Sequence, residues 1–213
     1  MVINLQQLLP AYFPGDRHAS SHVWLKDIAI NPGDLIELVA PSGSGKTSLV
    51  HFLYGMRRDY TGAILYNNKA LRGVDHEQMA VFRASQVSIV FQDLRLFKNE
   101  SVRNNLLLKR QLSPYHTDDP IDMMASRLGI SDKLDSFCGN CSYGEQQRIA
   151  IIRSLMQPFE VLLLDEPFSH LDNKNAAAAM DLILEEAALR KATVILADLE
   201  QTPRFPHTRL LYL

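Results

Sequence analysis

The stretch APSGSGKTS (residues 40–48) decides the fold, because it sets glycines, a lysine and hydroxyl side chains between two segments of different periodicity. Residues 34–40 are a largely apolar run typical of a strand, and residues 46–56 have the pattern of a helix. A glycine-rich loop that joins a strand to a helix N-terminus presents successive backbone N–H groups, which bind phosphate. The stretch therefore predicts a phosphate-binding loop.

The side chains of this loop predict contacts with a nucleotide and its magnesium ion. Gly43 and Gly45 carry no Cβ, so their N–H groups can wrap a β-phosphate. Lys46 places positive charge on the β- and γ-phosphates, and the Thr47 hydroxyl can ligate Mg²⁺. The remaining predicted nucleotide contacts are Ser42, Ser44 and Ser48. The pattern usually begins with glycine, and Ala40 in that position costs little where its φ is negative.

A second polar cluster follows an apolar run in VLLLDEPFSHLD (residues 161–172). The run delivers Asp165 and Glu166 to its C-terminal end, where parallel sheets bind their ligands. We expect Asp165 to hold Mg²⁺ and Glu166 to polarise the water that attacks the γ-phosphate. The alternative is a strand that simply ends in polar residues, although two adjacent carboxylates there are a poor choice for stability alone.

Short apolar runs alternate with helical segments along most of the chain. The runs that predict strands are residues 22–30, 34–40, 62–67, 87–93, 160–167, 192–199 and 209–213. The segments that predict helices are residues 46–56, 75–84, 146–156 and 175–190. This alternation predicts an α/β fold with a mainly parallel sheet.

The middle of the chain departs from this alternation. Residues from about 93 to 141 have no clear strand pattern after the fourth run and contain two polar helical stretches, VRNNLLLKRQL and PIDMMASRLGI. We therefore predict one domain over residues 1–213, with an α/β core formed by residues 1–92 and 142–213. The segment at about 93–141 is predicted to be an inserted helical subdomain.

Composition excludes several classes of protein. The chain has 213 residues, of which 46% are hydrophobic and 22% charged, as in an ordinary globular domain. A net charge of −2 argues against a nucleic-acid partner held by bulk electrostatics. No apolar run has the length of a membrane span, and the N-terminus lacks the features of a signal peptide. A soluble, cytosolic protein is expected.

The two cysteines form a C-x-x-C pattern, Cys138 and Cys141. Such a pattern can be redox-active or half of a zinc site. Neither further ligands at metal-like spacing nor a thioredoxin-like unit accompanies it, so two reduced thiols in a loop are the favoured interpretation.

The stretch CSYGEQQR (residues 141–148) allows two interpretations. Ser142 and Glu145 have the spacing of a capping box, and an apolar run follows, so the stretch predicts a well-capped helix start. The same helix start could instead be half of a nucleotide site, with Tyr143 where a glycine is expected.

The combined motifs favour the nucleotide site. APSGSGKTS, FQD at residues 91–93, CSYGEQQR, LLLDEP and SHLD resemble the ATP-binding cassette (ABC) ATPases in order and spacing, over almost the entire chain. This resemblance implies a P-loop NTPase core, an N-terminal antiparallel β subdomain and a helical subdomain. It also implies ATP and Mg²⁺ as ligands, and a second copy of the domain whose signature motif, here CSYGEQQR, meets the γ-phosphate.

The resemblance assigns further roles. Gln92 matches the glutamine that senses the γ-phosphate and Mg²⁺ and couples the site to the helical subdomain. Asp172 matches the aspartate of a loop that crosses the dimer interface. Tyr12 or Phe13 matches the aromatic residue that stacks on adenine, with ordinary packing as the alternative. The signature residues expected to meet the nucleotide of the second copy are Ser142, Gly144 and Glu145.

Two departures from the ABC ATPase motifs bear on the rate of ATP hydrolysis. Tyr143 occupies the first glycine position of the signature, where its ring could crowd the opposing phosphate or lie outward. The strand at residues 192–199 ends in Leu196, Ala197 and Asp198, where ABC ATPases have a threonine-histidine-aspartate triplet. With the histidine aligned at Ala197, a contact to the γ-phosphate is missing. Such a loss typically costs about 10²–10³-fold in rate, so slow hydrolysis is expected.

The resemblance also implies partners. The expected assembly is a homodimer rather than a heterodimer, docked through the helical subdomain and the Gln92 loop on an integral membrane permease at the inner face of the cell membrane. FQDLRLFKNESVRNNL (residues 91–106) is similar to the subunits of lipoprotein release, macrolide export and cell-division signalling. A non-transport regulatory ATPase with little turnover stays open, and a P-loop kinase leaves CSYGEQQR unexplained.

Overall fold

The computed structural model describes residues 1–13 and 20–213. Within them nine strands and six α-helices form two sheets and their flanking layers. The strands are β1 (Ile3–Pro10), β2 (Asp27–Ile30), β3 (Leu35–Val39), β4 (Tyr60–Tyr66), β5 (Lys69–Ala70), β6 (Val87–Val90), β7 (Val161–Asp165), β8 (Thr193–Asp198) and β9 (Arg209–Tyr212). The helices are α1 (Lys46–Leu53), α2 (His76–Ser85), α3 (Val102–Leu112), α4 (Ile121–Arg127), α5 (Tyr143–Leu155) and α6 (Asn173–Arg190).

The larger sheet is parallel and has the strand order β6-β7-β8-β3-β9. In this order β8 lies between β3 and β7, so the loop after β3 and the acidic pair at the end of β7 flank one strand. The carboxyl ends of parallel strands share one edge of the sheet, and ligands bind there. The topology therefore gathers the predicted phosphate loop, the predicted acidic pair and the end of β8.

The smaller sheet is antiparallel, with the order β2-β1-β4-β5. Strand β1 has no predicted counterpart, because its polar residues break the alternation and a bulge at Gln7, with φ of 48°, shifts its register. The strand predicted at residues 22–30 is too long. Only Asp27–Ile30 pairs with β1, since Leu25 has a φ of 56°, outside the range of regular extended backbone.

The parallel sheet has a hydrophobic cluster on each face. Along β7, Leu162 and Leu164 join one cluster, and Val161 and Leu163 join the other. Successive side chains of a strand point to opposite faces, so a strand covered on both sides must be apolar throughout. This explains why the runs at the two central predicted strands contain almost no polar residue.

The segment between β6 and α5 contains α3, α4 and short 3₁₀ turns, and its described strand pairing is limited to an isolated bridge between Ser101 and Phe137. Helix α3 matches the predicted stretch from end to end, because Ser101 caps its first turn. Buried residues of α3 and α4 belong to the same cluster as α5 and β7. That this segment behaves as a separate subdomain stays a prediction.

Candidate nucleotide site

The loop between β3 and α1 has the backbone that the sequence predicts. Gly43 and Gly45 have φ of 79° and 97°, backbone conformations that residues with a Cβ rarely adopt. A Cβ at Gly45 would lie 2.9 Å from Phe13 Cζ and 3.0 Å from Trp24 Cζ2. Trp24 also donates its indole N–H to Ser44 O at 3.3 Å. Glycine at position 45 is therefore required by conformation and by space.

Lys46 is folded back over this loop. Its side chain is 4% exposed, and Nζ donates to Ala40 O at 2.7 Å and to Pro41 O at 3.2 Å. Glu166 Oε1 lies 3.6 Å from the same ammonium group. The lysine therefore points its charge across the loop towards the acidic pair.

Glu166 also connects Lys46 to two further predicted site residues. Gln92 Nε2 donates to Glu166 Oε2 at 3.1 Å, and the Thr47 hydroxyl donates to Gln92 Oε1 at 3.3 Å. Four predicted nucleotide- or magnesium-contacting side chains thus form one continuous polar network. A sequence pattern could place them on three elements, and the sheet edge brings them within hydrogen-bond reach.

Asp165 lies beside this network without a partner of its own. The residue is fully buried, and among the described residues no hydrogen-bond partner reaches either carboxylate oxygen. Burial, with a smaller contribution from the negative charge of Glu166, raises the pKa of Asp165 to about 6, although the nearby Thr47 hydroxyl lowers it. Orphaned carboxylate oxygens near a threonine hydroxyl and a glutamine oxygen are the hard donor set that Mg²⁺ prefers. The residues present fit a magnesium site.

Glu166 stands on strained backbone directly after β7. Its φ is 48°, its N–H donates to Ala197 O at 2.9 Å, and its carbonyl accepts a longer bond from Gln147 at 3.4 Å. A left-handed conformation at a non-glycine residue costs free energy and persists where the surroundings hold it. These bonds aim the carboxylate at the loop instead of along the strand.

The start of α5 has the predicted capping box. Glu145 N–H donates to Ser142 Oγ, and Ser142 N–H donates to Glu145 Oε2 at 2.7 Å. The backbone bond from Ser142 lowers the pKa of Glu145. Helix α5 consequently begins at Tyr143, three residues before its predicted start, and its N-terminus carries the partial positive charge of a helix dipole.

Tyr143 lies back over its own protomer. Its hydroxyl donates to Gln92 O at 3.2 Å, and its ring centroid is 4.3 Å from that of His170. These two contacts hold the ring against Gln92 and His170 of the same chain. Gly144 is needed beside it, because a Cβ there would lie 3.0 Å from His170 O.

Gln147 is a site residue that the sequence analysis missed. It is almost fully buried on α5 and donates to Ser169 Oγ at 3.0 Å, while its own Oε1 accepts from His170 N at 3.0 Å. Together with its bond to the carbonyl of Glu166, it ties α5 to the turn before α6. Glutamine within the stretch GEQQR was a visible signal, but helical periodicity alone does not reveal which polar side chain points inward.

Asp172 caps α6 and ends this turn. Its Oδ1 accepts from Asn175 N at 2.8 Å, and its Oδ2 accepts from Asn175 Nδ2 at 2.9 Å. Helix α6 therefore begins at Asn173, two residues before its predicted start. Asp172 itself is exposed, beside the turn that Gln147 holds.

Tyr12 and Phe13 take different positions beside α1. Phe13 packs edge-on against Trp24, with ring centroids 5.7 Å apart, and touches the backbone at Gly45. Tyr12 is 48% exposed, and its hydroxyl contacts Ser48 Oγ. Phe13 is therefore occupied by packing. Tyr12 keeps a larger exposed surface, although Phe13 packs edge-on against it and the Arg57 guanidinium lies over its ring.

Ala197 is the second-last residue of β8. It is fully buried in the cluster that contains α1. The strand ends one residue later at Asp198, whose pKa is raised by burial and by the charge of Glu166, and Leu199 follows on the surface. Asp198 therefore lies close enough to Glu166 and Lys46 to interact with their charges, and residues 198–201 contain no histidine.

The two cysteines are buried and unbridged. Burial raises the pKa of Cys138 to about 11 and also raises the pKa of Cys141. A thiol with a raised pKa is a poor nucleophile and a poor metal ligand. Within residues 1–13 and 20–213 no cluster of three histidine, cysteine or acidic side chains is placed to hold a metal.

A family model described as ABC transporter matches residues 26–169. The chain belongs to the ABC transporter family. It is an ABC ATPase, a protein that binds and hydrolyses ATP, and its fold is the predicted α/β P-loop NTPase fold. None of the described helices combines the length and apolar character of a bilayer span.

Curated relatives of this ABC ATPase carry several names. The lipoprotein-releasing system ATP-binding protein LolD of Legionella pneumophila is 30% identical, over 87% of this chain and 82% of the relative. The thiamine import ATP-binding protein ThiQ of Vibrio cholerae is 31% identical, over 84% of this chain and 75% of the relative. The macrolide export ATP-binding/permease protein MacB of Nitrosomonas europaea is 30% identical over 92% of this chain, which spans 30% of that protein.

Solved ABC cassettes have the same fold. A dimeric ATP-binding cassette, MJ0796, bound to ADP and Pi in a post-hydrolysis state, superposes with a TM-score of 0.84 at 20% identity, over 99% of this chain and 94% of that one. An ATP-binding protein from Pyrococcus furiosus has a TM-score of 0.79 at 17% identity, over 100% of this chain and 98% of that one.

Proposed function

We propose that this ABC ATPase is the nucleotide-binding subunit of a membrane transport complex and drives a permease partner by closing as a dimer on ATP. The observation that carries the proposal is the polar network of Lys46, Glu166, Gln92 and Thr47 beside the orphaned carboxylate of Asp165. All five side chains meet at the carboxyl edge of one parallel sheet, where phosphate and metal would sit.

Each residue of the network has a role in hydrolysis. Lys46 binds the β- and γ-phosphates, and Glu166 polarises the attacking water. Thr47, Gln92 and Asp165 would hold Mg²⁺, which supplies positive charge to the β- and γ-phosphates when bound with ATP. The P-loop N–H groups bind the phosphates through the backbone.

Nucleotide binding must rearrange the network. The Lys46 ammonium group donates hydrogen bonds to the carbonyls of Ala40 and Pro41, and its charge faces Glu166. An incoming γ-phosphate replaces Glu166 as the partner of the ammonium group and frees the carboxylate for water. Gln92 is hydrogen-bonded to both Glu166 and Thr47, so it moves when these partners move. Its movement then displaces the segment that leads into α3.

The second half of each site comes from a second copy of the chain. The capped start of α5, with Ser142, Gly144 and Glu145, is proposed to meet the γ-phosphate bound by the partner. Asp172 and its turn are proposed to cross the interface. A homodimer satisfies both requirements with one sequence, and the dimeric form of the cassette MJ0796 supports such an assembly.

An exposed aromatic patch, formed by Phe97 and Phe137, is the proposed contact with the permease. The two rings are 58% and 57% exposed, and their segments are joined by a bond from Gly139 N to Lys98 O at 2.9 Å. Phe97 lies five residues beyond Gln92, so a partner on this patch adjoins the γ-phosphate sensor. Through that partner, the subunit would be peripheral on the inner face of the cell membrane.

Relatives named for lipoprotein release and macrolide export support a place in the subgroup that transmits ATP closure to a permease. A second candidate function is a regulatory ABC ATPase that dimerises on ATP with little turnover. The absence of a histidine from residues 193–201, at and just after β8, favours slow hydrolysis in either case. Recovery of an integral membrane protein with the natively expressed subunit would favour transport, and its absence would favour the regulatory alternative.

The test of the proposal is ATP-driven dimerisation of purified Glu166→Gln protein. This variant keeps the binding residues and removes the carboxylate that polarises water, so Mg²⁺–ATP should convert it to a stable dimer in light-scattering chromatography. Lys46→Ala in the same background should remain a monomer because the phosphates lose their cation. A Glu166→Gln protein that binds ATP and stays monomeric at millimolar nucleotide would overturn the composite-site arrangement.

A further inference from the structure

We propose that Arg57 is a nucleotide-binding residue that contacts the ribose-phosphate part of ATP and ADP at the α-phosphate. The inference rests on the proposed nucleotide site and adds to it a residue outside its sequence motifs. Arg57 follows α1 and lies eleven positions beyond Lys46 in the chain. No motif predicts it, and only the folded chain brings it to the loop.

The position of Arg57 follows from two contacts. Its Nη1 donates to Ser48 Oγ at 3.2 Å, and its Cζ lies 5.0 Å from the centroid of the Tyr12 ring. Ser48 lies in the first turn of α1, one residue beyond Thr47, and Tyr12 is the aromatic residue with the larger exposed surface. One guanidinium group therefore spans the space between the proposed base-stacking ring and the proposed phosphate-binding turn.

A nucleotide bound by both ends must fill that space with its ribose and α-phosphate. A base stacked on Tyr12 and a β-phosphate in the loop before α1 leave the α-phosphate near Ser48. A guanidinium group binds phosphate through charge-assisted hydrogen bonds, which are stronger than bonds between neutral groups. Ser48 is almost fully buried, so Arg57 is the positive group that faces it from the solvent side.

Asp59 sets the orientation of this guanidinium. Nε of Arg57 donates to Asp59 Oδ1 at 3.0 Å, and Nη2 pairs with the other carboxylate oxygen. The two bonds occupy one edge of the fork and leave Nη1 directed at Ser48. The pair is partly exposed, so it positions the arginine and adds little stability.

The experiment is a calorimetric titration of Mg²⁺–ATP and Mg²⁺–ADP into wild-type protein, Arg57→Ala, Arg57→Lys and Arg58→Ala. Arg58→Ala is the matched control, because it removes the same charge one residue away. The Arg58 side chain donates instead to Val74 O at 2.8 Å. Arg57→Ala is expected to weaken ATP and ADP by the same factor, about tenfold, since both carry an α-phosphate. Arg57→Lys should recover part of the affinity, and Arg58→Ala should bind as wild type does.

Each outcome separates this inference from the proposed function. Wild-type protein that binds neither nucleotide would defeat the proposed function itself. Wild-type binding with unchanged affinities in both Arg57 variants would overturn the role of Arg57 alone. A loss confined to ATP would place the arginine at the γ-phosphate and would also overturn the assignment. If Arg57→Ala fails to fold by circular dichroism, the titration of Arg57→Lys decides, because a mobile ammonium lacks the fork and should bind both nucleotides more weakly than wild type.

Discussion

At the scale of single residues, the site is built at the expense of stability. Asp165 is buried with both carboxylate oxygens free of partners within the described chain, and Glu166 occupies left-handed backbone. Buried polar groups without partners and strained φ values both cost free energy. The fold tolerates them because β7 is held on both sides by β6 and β8. Such costs are expected where a metal and a phosphate complete the coordination.

Asp165→Asn is therefore expected to stabilise the metal-free protein while abolishing hydrolysis. The unfolded chain releases the Asp165 proton near pH 4, and the native protein keeps it to about pH 6. The stabilising contribution of the group is complete below pH 4 and is lost as the pH rises through 6. A neutral side chain avoids this loss, so the variant should gain about 2–3 kcal/mol in unfolding free energy at pH 8.

Urea unfolding in EDTA at pH 5 and pH 8 measures this difference. The gain of Asp165→Asn over wild type should be larger at pH 8 than at pH 5. The control is Asp118→Asn, an exposed carboxylate away from the sheet edge, which should change stability little at either pH. An Asp165→Asn protein that is less stable than wild type at pH 8 would contradict the assignment of an unpartnered buried charge.

Residue types at motif spacing were predictable from the sequence, but residues recruited by the fold were not. Lys46 stands out because it ends a glycine-rich loop after a predicted strand, and Glu166 stands out because two adjacent carboxylates follow an apolar run. Gln147 and Arg57 have no such context, since one lies inside a helix and the other follows a helix end. Their roles depend on which way a side chain points, which periodicity does not specify for an isolated polar residue.

At the scale of elements, buried strands were the most predictable part of the fold and sheet edges the least. Strands β7 and β8 are apolar on both faces, so continuous apolar runs in the sequence predict them directly. Strand β1 is polar on one face and carries a bulge, and β2 is half as long as its apolar run, because tertiary contacts bury Val23 and Trp24 without a strand. Because Ser142 and Asp172 act as N-caps, α5 and α6 begin earlier in the chain than hydrophobic periodicity predicts.

The end of β8 yields a prediction that separates two positions for a histidine. Ala197→His should lower the unfolding free energy by about 2–4 kcal/mol without raising turnover, because the imidazole enters a packed core. Asp198→His changes the partly exposed last residue of the strand, which interacts with the charges of Glu166 and Lys46, so it should change stability by less than about 1 kcal/mol. If a missing phosphate contact limits hydrolysis, this second variant should raise the steady-state ATPase rate severalfold.

Thermal unfolding and a phosphate-release assay on the same preparations decide between the positions. Faster hydrolysis by Ala197→His, with Asp198→His unchanged, would contradict the position inferred from burial. No gain in either variant, with wild-type turnover already in the range of other ABC ATPases, would contradict the slow-hydrolysis hypothesis itself.

At the scale of the whole molecule, the parallel sheet joins the nucleotide end of the protein to the surface proposed for the permease. Gln92 lies two residues beyond β6, and the backbone continues to Phe97, whose N–H donates to Asn105 Oδ1 at 2.9 Å. Asn105 is fully buried on α3 and also donates to Phe97 O at 3.0 Å. A movement of Gln92 on ATP binding would therefore reach a residue whose backbone is bonded to α3 and whose ring is exposed to a partner.

Phe97→Asp tests this arrangement in the assembled complex. The ring is exposed, so the variant should keep the ATP affinity, dimerisation and stability of the isolated subunit, while a charge on the apolar patch should abolish recovery of the membrane partner in a detergent pull-down. The matched control is Leu189→Asp on α6, which is 67% exposed and lies outside the patch, and it should recover the partner normally. Equal recovery with both variants would remove Phe97 from the docking surface, and a joint loss of ATP binding would mean that Phe97 supports the nucleotide site instead.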